Sequence, residues 1–359
     1  MSPTVSVVIP AHNAAATLGE TLASVLAQSH AALDVVVVDD GSTDGTAAIA
    51  TGTGDPRVRL IRQERGGVAA ARNAGLGACR GEAGGVLVAD AVWRPATVAA
   101  LLAALSAGRP SVGLAYCWSA LIDEQGGILP GKHCAGRHAG PVWPALVTGN
   151  FIGNASAVLV HRDCLETVRF IGQAGIQGAE DWRFYLDIAE HWHFALVPRF
   201  LVGYRQRRGS MSRNLAPMIE SHRQVAAALR TRHPALDERL LRRSEANLYL
   251  VLADRAADQN DTAALLRLLR RALRCDPALA TTSQVRRLAL LLPRCLASRL
   301  LEWSGWRRPR PAAQVFLTGA ELPPRLRQPL QNPSPEASRT SRTGQRRPGR
   351  AAGNAASAN

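Results

Sequence analysis

No uncharged apolar run of about 18 residues, the length that would suggest a membrane-spanning helix, occurs in this chain of 359 residues. The opening Met-Ser-Pro-Thr leads directly into a β-branched segment, without the basic start and apolar centre of a secretory leader. The six cysteines, Cys79, Cys117, Cys134, Cys164, Cys275 and Cys295, are scattered and include no C-x-x-C pair. That spacing disfavours a disulfide framework and points to free thiols in a reducing cytoplasm. His133, Cys134 and His138 form too sparse a set to read as a zinc site. Glycine is missing where a dinucleotide fold needs it: the first strand ends in P-A-H-N-A-A, and no glycine precedes Gly19. Without a G-x-G-x-x-G turn the backbone cannot approach a pyrophosphate in that way, which disfavours a hydride-transfer enzyme.

An apolar fraction of 47% and this length suffice for one large domain with an appendage. Val5 to Pro10 and Val35 to Asp39 are short β-branched runs that stop at turn-forming residues. Between them Leu18, Leu22, Val25 and Leu26 fall at helical spacing behind Thr17, an expected N-cap. This strand–helix–strand order predicts a parallel sheet with right-handed crossovers. A helix through Ala47 to Ala50, a strand at 58–62, a helix at 68–78 and a strand at 86–88 continue the α/β pattern. Residues 111–161 read as strands and loops, and Asp181 to His191 as a helix. From about Pro217 the texture changes to Leu/Ala/Arg-rich helical segments at 217–232, 236–257, 261–274 and 284–302. The expected organisation is an α/β domain over 1–214, an α-helical extension over 215–310 and a basic, mostly disordered tail over 311–359.

An open α/β sheet binds ligands beyond the carboxyl ends of its strands. Pro10, His12 and Asn13 stand at one such end, Asp39 and Asp40 at the next. A carboxylate there can accept the imide N–H of a uracil or the hydroxyls of a ribose. The alternative is that Asp39-Asp40 caps the following helix, a task for which Ser42 and Asp44 already suffice. Glu180-Asp181 pairs two carboxylates at a helix start, which suits either a general base acting on a hydroxyl or simple complementation of the helix dipole.

V-S-V-V-I-P-A-H-N (Val5 to Asn13), S-V-L-A-Q-S-H (Ser24 to His30), V-V-V-V-D-D-G-S-T-D-G-T (Val35 to Thr46) and G-V-A-A-A-R-N-A-G-L (Gly67 to Leu76) resemble glycosyltransferase family two. The similarity extends through G-A-E-D-W-R-F-Y-L-D-I-A (Gly178 to Ala189) and V-P-R-F-L-V-G-Y-R-Q-R-R-G-S-M-S (Val197 to Ser212). The resemblance implies a GT-A fold and inverting transfer, of hexosyltransferase type, from a nucleoside-diphosphate sugar, with UDP as the expected nucleotide. It implies Pro10 and His12 at the base, Asn13 and Asp39 beside them, Asp40 on uracil or ribose, and Arg72 near the diphosphate. It also implies Asp181 as the base with Glu180 supporting it, and Asn150, Asn154 and Ser156 towards the acceptor.

The chain departs from the family pattern at its acidic cation motif. Anchored on Trp93 and Pro95, the "LDADDxWxP" pattern reads Leu87-Val88-Ala89-Asp90-Ala91-Val92-Trp93-Arg94-Pro95, so one of three aspartates survives. Asp90 is the implied ligand of Mg²⁺ or Mn²⁺, which one carboxylate can hold when phosphates and water complete the shell. The family's late Y-R-x-H becomes Tyr204-Arg205-Gln206-Arg207, followed by Arg208. A permanent cation at Arg207 or Arg208 is suited to neutralising a leaving diphosphate. The opposing reading is a catalytically impaired sugar-nucleotide-binding or scaffold protein with a decayed metal site.

Charge is uneven: residues 1–214 hold 18 basic and 17 acidic side chains, the remaining 145 hold 25 and 11. The back half therefore suits an anionic partner, and Val285 to Trp306 has the form of an Arg-rich helix able to lie on an anionic membrane surface. The last stretch, Arg339 to Arg350, lacks interleaved aromatics, so no specific nucleic-acid partner is expected. The expected setting is polysaccharide biosynthesis for the cell envelope, in the cytoplasm or peripheral at the inner face of its membrane. The acceptor is a saccharide, lipid-linked or protein hydroxyl.

Overall fold

A computed structural model describes residues 2–171, 178–207, 215–303 and 315–316 of the chain. Met1–Glu321 group as one compact unit. Its first part is built from β1 (Val5–Ala11), β2 (Leu33–Asp40), β3 (Val58–Gln63) and β4 (Ala83–Val86), with α1 (Leu18–Leu26), α2 (Thr46–Gly52) and α3 (Val68–Gly77) in the crossovers. These four strands are parallel, in the order β3-β2-β1-β4. β1 and β2 are buried along their whole length, which is why they read as continuous Val/Ile runs without alternation.

The sheet continues as β8-β6-β9-β5, with β7 on the side of β6. β8 (Val158–His161) runs antiparallel to both β4 and β6 (Val112–Ile122), and β9 (His193–Arg205) runs parallel to β6. β5 (Val92–Trp93) is antiparallel to β9, and β7 (Ile128–Cys134) to β6. α4 (Thr97–Ala107), α5 (Trp143–Val147), α6 (Arg162–Thr167) and α7 (Glu180–Ala189) complete the α/β part. The extension is formed by α8 (Leu215–Arg232), α9 (Glu238–Asp258), α10 (Thr262–Cys275) and α11 (Ser283–Trp303), close to the helical segments expected from sequence. Aspartates start α9 and α10: Asp237 accepts from Arg239 N and Asp261 from Ala264 N. Lys132 of β7 ties α9 to the sheet through Asp254 and Asp258, at 2.7 and 2.8 Å.

The fourth strand lies earlier than expected. The apolar run at 86–88 suggested a strand there, whereas β4 is Ala83-Gly84-Gly85-Val86. Two glycines erase its β-propensity, but the packing requires one of them: a Cβ on Gly85 would stand 2.8 Å from the carbonyl of Val158 on β8. Val88, Ala89 and Asp90 consequently lie beyond the strand, in a turn closed by Ala91 N donating to Val88 O.

A polar stripe on α1 and its flanks holds that turn. Thr17 stands at the N-cap, but its hydroxyl makes no cap bond and donates to Ala89 O at 2.8 Å. One turn later Thr21 donates to Ala91 O at 2.9 Å, and Ser24 Oγ accepts from Trp93 N at 3.1 Å. Gln28 donates to Arg94 O at 2.8 Å and accepts from Val98 N at 2.9 Å. Thr17, Thr21 and Ser24 serve the alternate positions 89, 91 and 93, and Gln28 serves 94, because the helical spacing of 17, 21, 24 and 28 lines one face of the helix along this segment. Thr21 and Ser24 are buried, so an unfilled partner would not be rescued by water. Replacing Thr21 by the isosteric Val leaves the Ala91 carbonyl without its donor. The expected outcome is a loss of about 1–3 kcal/mol in stability, measured by urea unfolding of the full chain.

Candidate active site

Asp39 and Asp40 end β2 next to the end of β1, since Ala11 pairs with Asp39. They divide the work. Asp40 is buried and accepts from Gln63 Nε2, Gly66 N and Gly67 N at 2.7, 2.8 and 2.9 Å. Its carboxylate is thus engaged in shaping the loop that leads into α3. Asp39 is 1% exposed; Oδ1 accepts from Ser42 N, while Oδ2 makes no hydrogen bond and has only the exposed Arg62 guanidinium at 3.3 Å. Neither aspartate caps α2: its N-cap is Gly45, and Asp44 just before it accepts from Thr46 N at 3.0 Å. Of the pair, Asp39 carries the oxygen with accepting capacity to spare.

The β1 loop is locked against the β2 loop. His12 Nδ1 lies 2.8 Å from Asp40 O, which requires a proton on Nδ1 and leaves Nε2 as an acceptor. Asn13 adopts a left-handed φ of 48°, a conformation asparagine tolerates, and its Oδ1 accepts from Thr43 N at 2.9 Å. Pro10 pairs with Val38 on one side only, because pairing with β4 stops at Val8, and so its missing N–H breaks no ladder.

Arg72 is the least satisfied charge in this region. It is 7% exposed, and its Nε and Nη1 are buried without a hydrogen-bond partner. Its guanidinium carbon lies 4.9 Å from the centroid of the Phe170 ring, which itself stacks on Phe184 at 4.1 Å. Asn73 fixes Phe170 by donating to its carbonyl and accepting from its amide, at 2.6 and 2.9 Å. A buried guanidinium with two idle donors costs free energy that an anion would recover.

Across from Arg72, α7 opens with Glu180-Asp181. Glu180 is buried and accepts from Gly178 N at 2.7 Å. Burial raises the Asp181 carboxyl to about 6; the Glu180 charge adds to the rise and Arg72 works against it. Trp182 N donates to Asp181 Oδ1 at 2.8 Å, which leaves the other oxygen for a partner. Tyr185, whose hydroxyl burial keeps protonated, donates to Asn154 O at 3.2 Å. Asn154 and Ser156, expected to face an acceptor, are buried, and Ser156 Oγ accepts from Val88 N at 3.2 Å. They support the site: Asn154 caps the 3-10 turn Ala155–Ala157 that precedes β8 by accepting from Ser156 N, and both side chains are buried there.

Asp90 is half-buried; burial raises its carboxyl above the usual range, and Arg207 and Arg205 oppose that rise. The two arginines are therefore brought to the surviving acidic position, while Arg208 lies outside the described residues. Arg205 carries a role that sequence reasoning missed. Buried at 3% exposure, it donates to Asp90 O at 3.0 Å, to the carbonyls of Asp123 and Glu124 at 3.1 and 2.8 Å, and to Glu20 at 2.5 Å. Among the described residues no group of three His, Cys, Asp or Glu side chains could hold a metal by itself. The donor set fits a divalent cation only in the mode where one carboxylate is joined by phosphate oxygens and water.

Known proteins resemble this chain in sequence over its first third and in fold over most of its length. Residues 6–121 match the family described as Glycosyl transferase family 2, a span that includes Asp39, Asp40, Arg72 and Asp90 and ends before Asp181. Succinoglycan biosynthesis protein ExoO of Rhizobium meliloti is 47% identical over 94 residues, 26% of this chain and 27% of that protein. The chain spans between 27% and 39% of the length of the first curated relatives it matches. Among solved structures, S. aureus TarS in complex with UDP-GlcNAc aligns over 84% of this chain and 92% of that one, with a TM-score of 0.51 at 17% identity. Mannosyltransferase PcManGT from Pyrobaculum calidifontis, in complex with GDP-Man and Mn²⁺, aligns over 86% and 89%, with a TM-score of 0.50 at 22% identity. The fold is GT-A, as the sequence motifs implied.

The raised Asp181 carboxyl has a consequence for stability. The folded state holds this proton more tightly than the unfolded chain, so between about pH 4 and 6 stability falls as pH rises. Asp181→Asn removes the ionisation. The variant is expected to be more stable than the wild type at pH 7 by up to about 3 kcal/mol, and equal to it below about pH 4. Denaturant unfolding of both proteins across this pH range checks the sign and the window.

Proposed function

We propose that the chain, whose residues 6–121 match the family described as Glycosyl transferase family 2, transfers a sugar, with inversion, from a nucleoside-diphosphate sugar to an acceptor hydroxyl. The observation that carries this reading is the buried Arg72 guanidinium, with two idle donors, across the site from an Asp181 carboxyl raised to about 6. An anion binder and a general base in one cleft are the two parts that such a transfer needs.

In the proposed mechanism the base and ribose of a UDP-linked donor lie at the ends of β1 and β2. Asp39 Oδ2 and His12 Nε2 accept from them beside Pro10 and Asn13, and Asp40 acts by holding the loop before α3. Arg72 binds the diphosphate, and Arg207 neutralises charge that develops on it. Asp90 would hold Mg²⁺ or Mn²⁺ jointly with the donor phosphates, the cation supplying further charge neutralisation when bound. Asp181 takes the proton of the acceptor hydroxyl as its oxygen attacks the anomeric carbon. The anomeric bond to the diphosphate breaks in the same step, and its electrons leave with the phosphate oxygen. Glu180 holds the start of α7 and, by its charge, raises the proton affinity of the Asp181 carboxylate, which makes it a stronger base.

The acceptor is proposed to be a saccharide, free or lipid-linked, or a protein hydroxyl, in polysaccharide biosynthesis; the name of the ExoO relative supports that setting. A cytoplasmic location, peripheral at an anionic membrane face through the basic C-terminal part, accompanies the proposal. Among the described residues no helix is long and apolar enough to cross a membrane.

Donor hydrolysis and transfer, assayed over UDP-, GDP- and dTDP-sugars, test the reaction. Asp181 must be ionised to act, so the wild-type rate should fall about tenfold per pH unit below about pH 6. Asp181→Asn should lose roughly 10²–10⁴-fold in turnover while still binding UDP. Unimpaired turnover in that variant contradicts the assignment, and donor binding without turnover in the wild type favours the scaffold reading. Arg72→Met should weaken UDP binding by about 1.5–3 kcal/mol, measured calorimetrically.

A further inference from the structure

Val315 and Phe316 follow the helical extension by a dozen residues in a stretch that composition assigns to the basic tail, yet Phe316 is 1% exposed. It forms one buried cluster with Val92, Ala120 and Ile122, against which the half-buried Ile128 and Phe200 pack. The Arg94 guanidinium lies over the ring, 4.6 Å from its centroid, and Arg94 Nε is otherwise buried without a hydrogen-bond partner. The backbone is fixed as well. Phe316 N donates to Gly126 O at 2.7 Å, and Val315 bridges Gly127 in antiparallel fashion. On β9 the facing residue is Gly203: a Cβ there would stand 2.7 Å from Phe316 Cδ1, so the ring occupies the space where a side chain would be.

These contacts surround the Asp90 turn. Val92, under the ring, is two residues beyond Asp90 and pairs with Gly203. The turn at 123–127, to which Phe316 is hydrogen-bonded, is held on its other side by Arg205, which also donates to Asp90 O. Phe316 and Arg205 thus clamp the same turn, and each also reaches the segment that carries Asp90, one through packing on Val92 and the other through a hydrogen bond to Asp90 O.

We propose that Val315–Phe316 is a positioning element of the donor site, a plug from the far end of the chain that fixes β5 and the 123–127 turn and thereby sets Asp90 and Arg205. This rests on the reading of Asp90 as the position that meets a cation and the donor phosphates. Phe316 itself touches neither substrate nor cation. It acts through Val92, Arg94 and the backbone of Gly126. Removing the ring would leave the Arg94 guanidinium over a void and take away the packing that seats the Phe316 amide against Gly126 O, so the Asp90 carboxylate would sample positions unsuited to a shared cation.

The test uses the full chain carrying Phe316→Ala, and Phe316→Leu as a milder variant that keeps apolar volume but loses the aromatic face for Arg94. Two quantities are measured: amide hydrogen exchange over 88–93 and 123–127, and UDP affinity with and without MnCl₂. The expected result for Phe316→Ala is faster exchange confined to those two segments, unchanged UDP affinity without cation, and a roughly tenfold loss of the Mn²⁺-dependent gain. Phe316→Leu should fall between that variant and the wild type. Unchanged exchange overturns the inference, as does altered exchange with an intact Mn²⁺-dependent gain. If wild-type UDP affinity shows no Mn²⁺ dependence, the reading of Asp90 fails and the proposed role in the donor site fails with it. The exchange result then still reports whether the plug holds the turn, so the two failures are distinguishable.

Discussion

Segment 89–94 leaves the parallel sheet at β4 and joins the far side as β5, and through the crossing its backbone has few strand partners. The hydroxyls of Thr17, Thr21 and Ser24 and the amide of Gln28 supply what a neighbouring strand would otherwise provide. Because those side chains repeat with the helix and the segment repeats with the strand, the match fixes the register of Asp90 relative to the ends of β1 and β2. Arg205 secures the same turn from β9, and Phe316 packs against the residue two places on. The placement of the surviving acidic residue is thus determined by groups that are themselves remote from any donor phosphate.

The charges around the cleft are held in states that the fold alone does not favour. Arg72 is buried with idle donors, Asp181 is half-buried beside the buried Glu180, and one oxygen of Asp39 is buried without a hydrogen bond. Each would be more stable exposed or paired within the protein. Their common remedy is a ligand carrying an anion, a hydroxyl and an N–H or ribose hydroxyl, which describes a nucleotide sugar meeting an acceptor. The same reasoning explains why Asp40, also at a strand end, is not a comparable candidate for direct contact: its oxygens already accept three hydrogen bonds from the loop before α3.

Much of this was legible in the sequence. The continuous Val/Ile runs gave β1 and β2, helical periodicity gave α1, α3 and the four helices of the extension, and the strand-end motifs gave the resemblance to the family that residues 6–121 match. The α/β core needs few long-range facts to be recognised, because parallel strands buried on both faces have a distinctive composition. What escaped depended on contacts between distant residues. β4 is half glycine, its composition answering to the close approach of β8. Thr21, Ser24 and Gln28 look like ordinary helix-surface residues until 89–94 is laid against them. Asp39 and Asp40 are indistinguishable as a dipeptide, and only the position of Gly66 and Gly67 separates them. Val315–Phe316 is too short to show periodicity, so placing 311–359 in a mostly disordered tail missed a pair that is docked on the sheet. The Trp306 end of the proposed membrane-facing helix, and the tail from 317 onward, lie outside the described residues.

The central claim is that the ends of β1 and β2, Arg72 and Asp90 enclose one nucleoside diphosphate. A crystal structure of the protein soaked with UDP and MnCl₂ tests it directly. The account predicts the base and ribose beside Asp39 Oδ2 and His12 Nε2, the diphosphate hydrogen-bonded by Arg72, and a cation shared by Asp90 and the phosphates. Density for UDP elsewhere on the protein, or a diphosphate out of reach of Arg72, would contradict it.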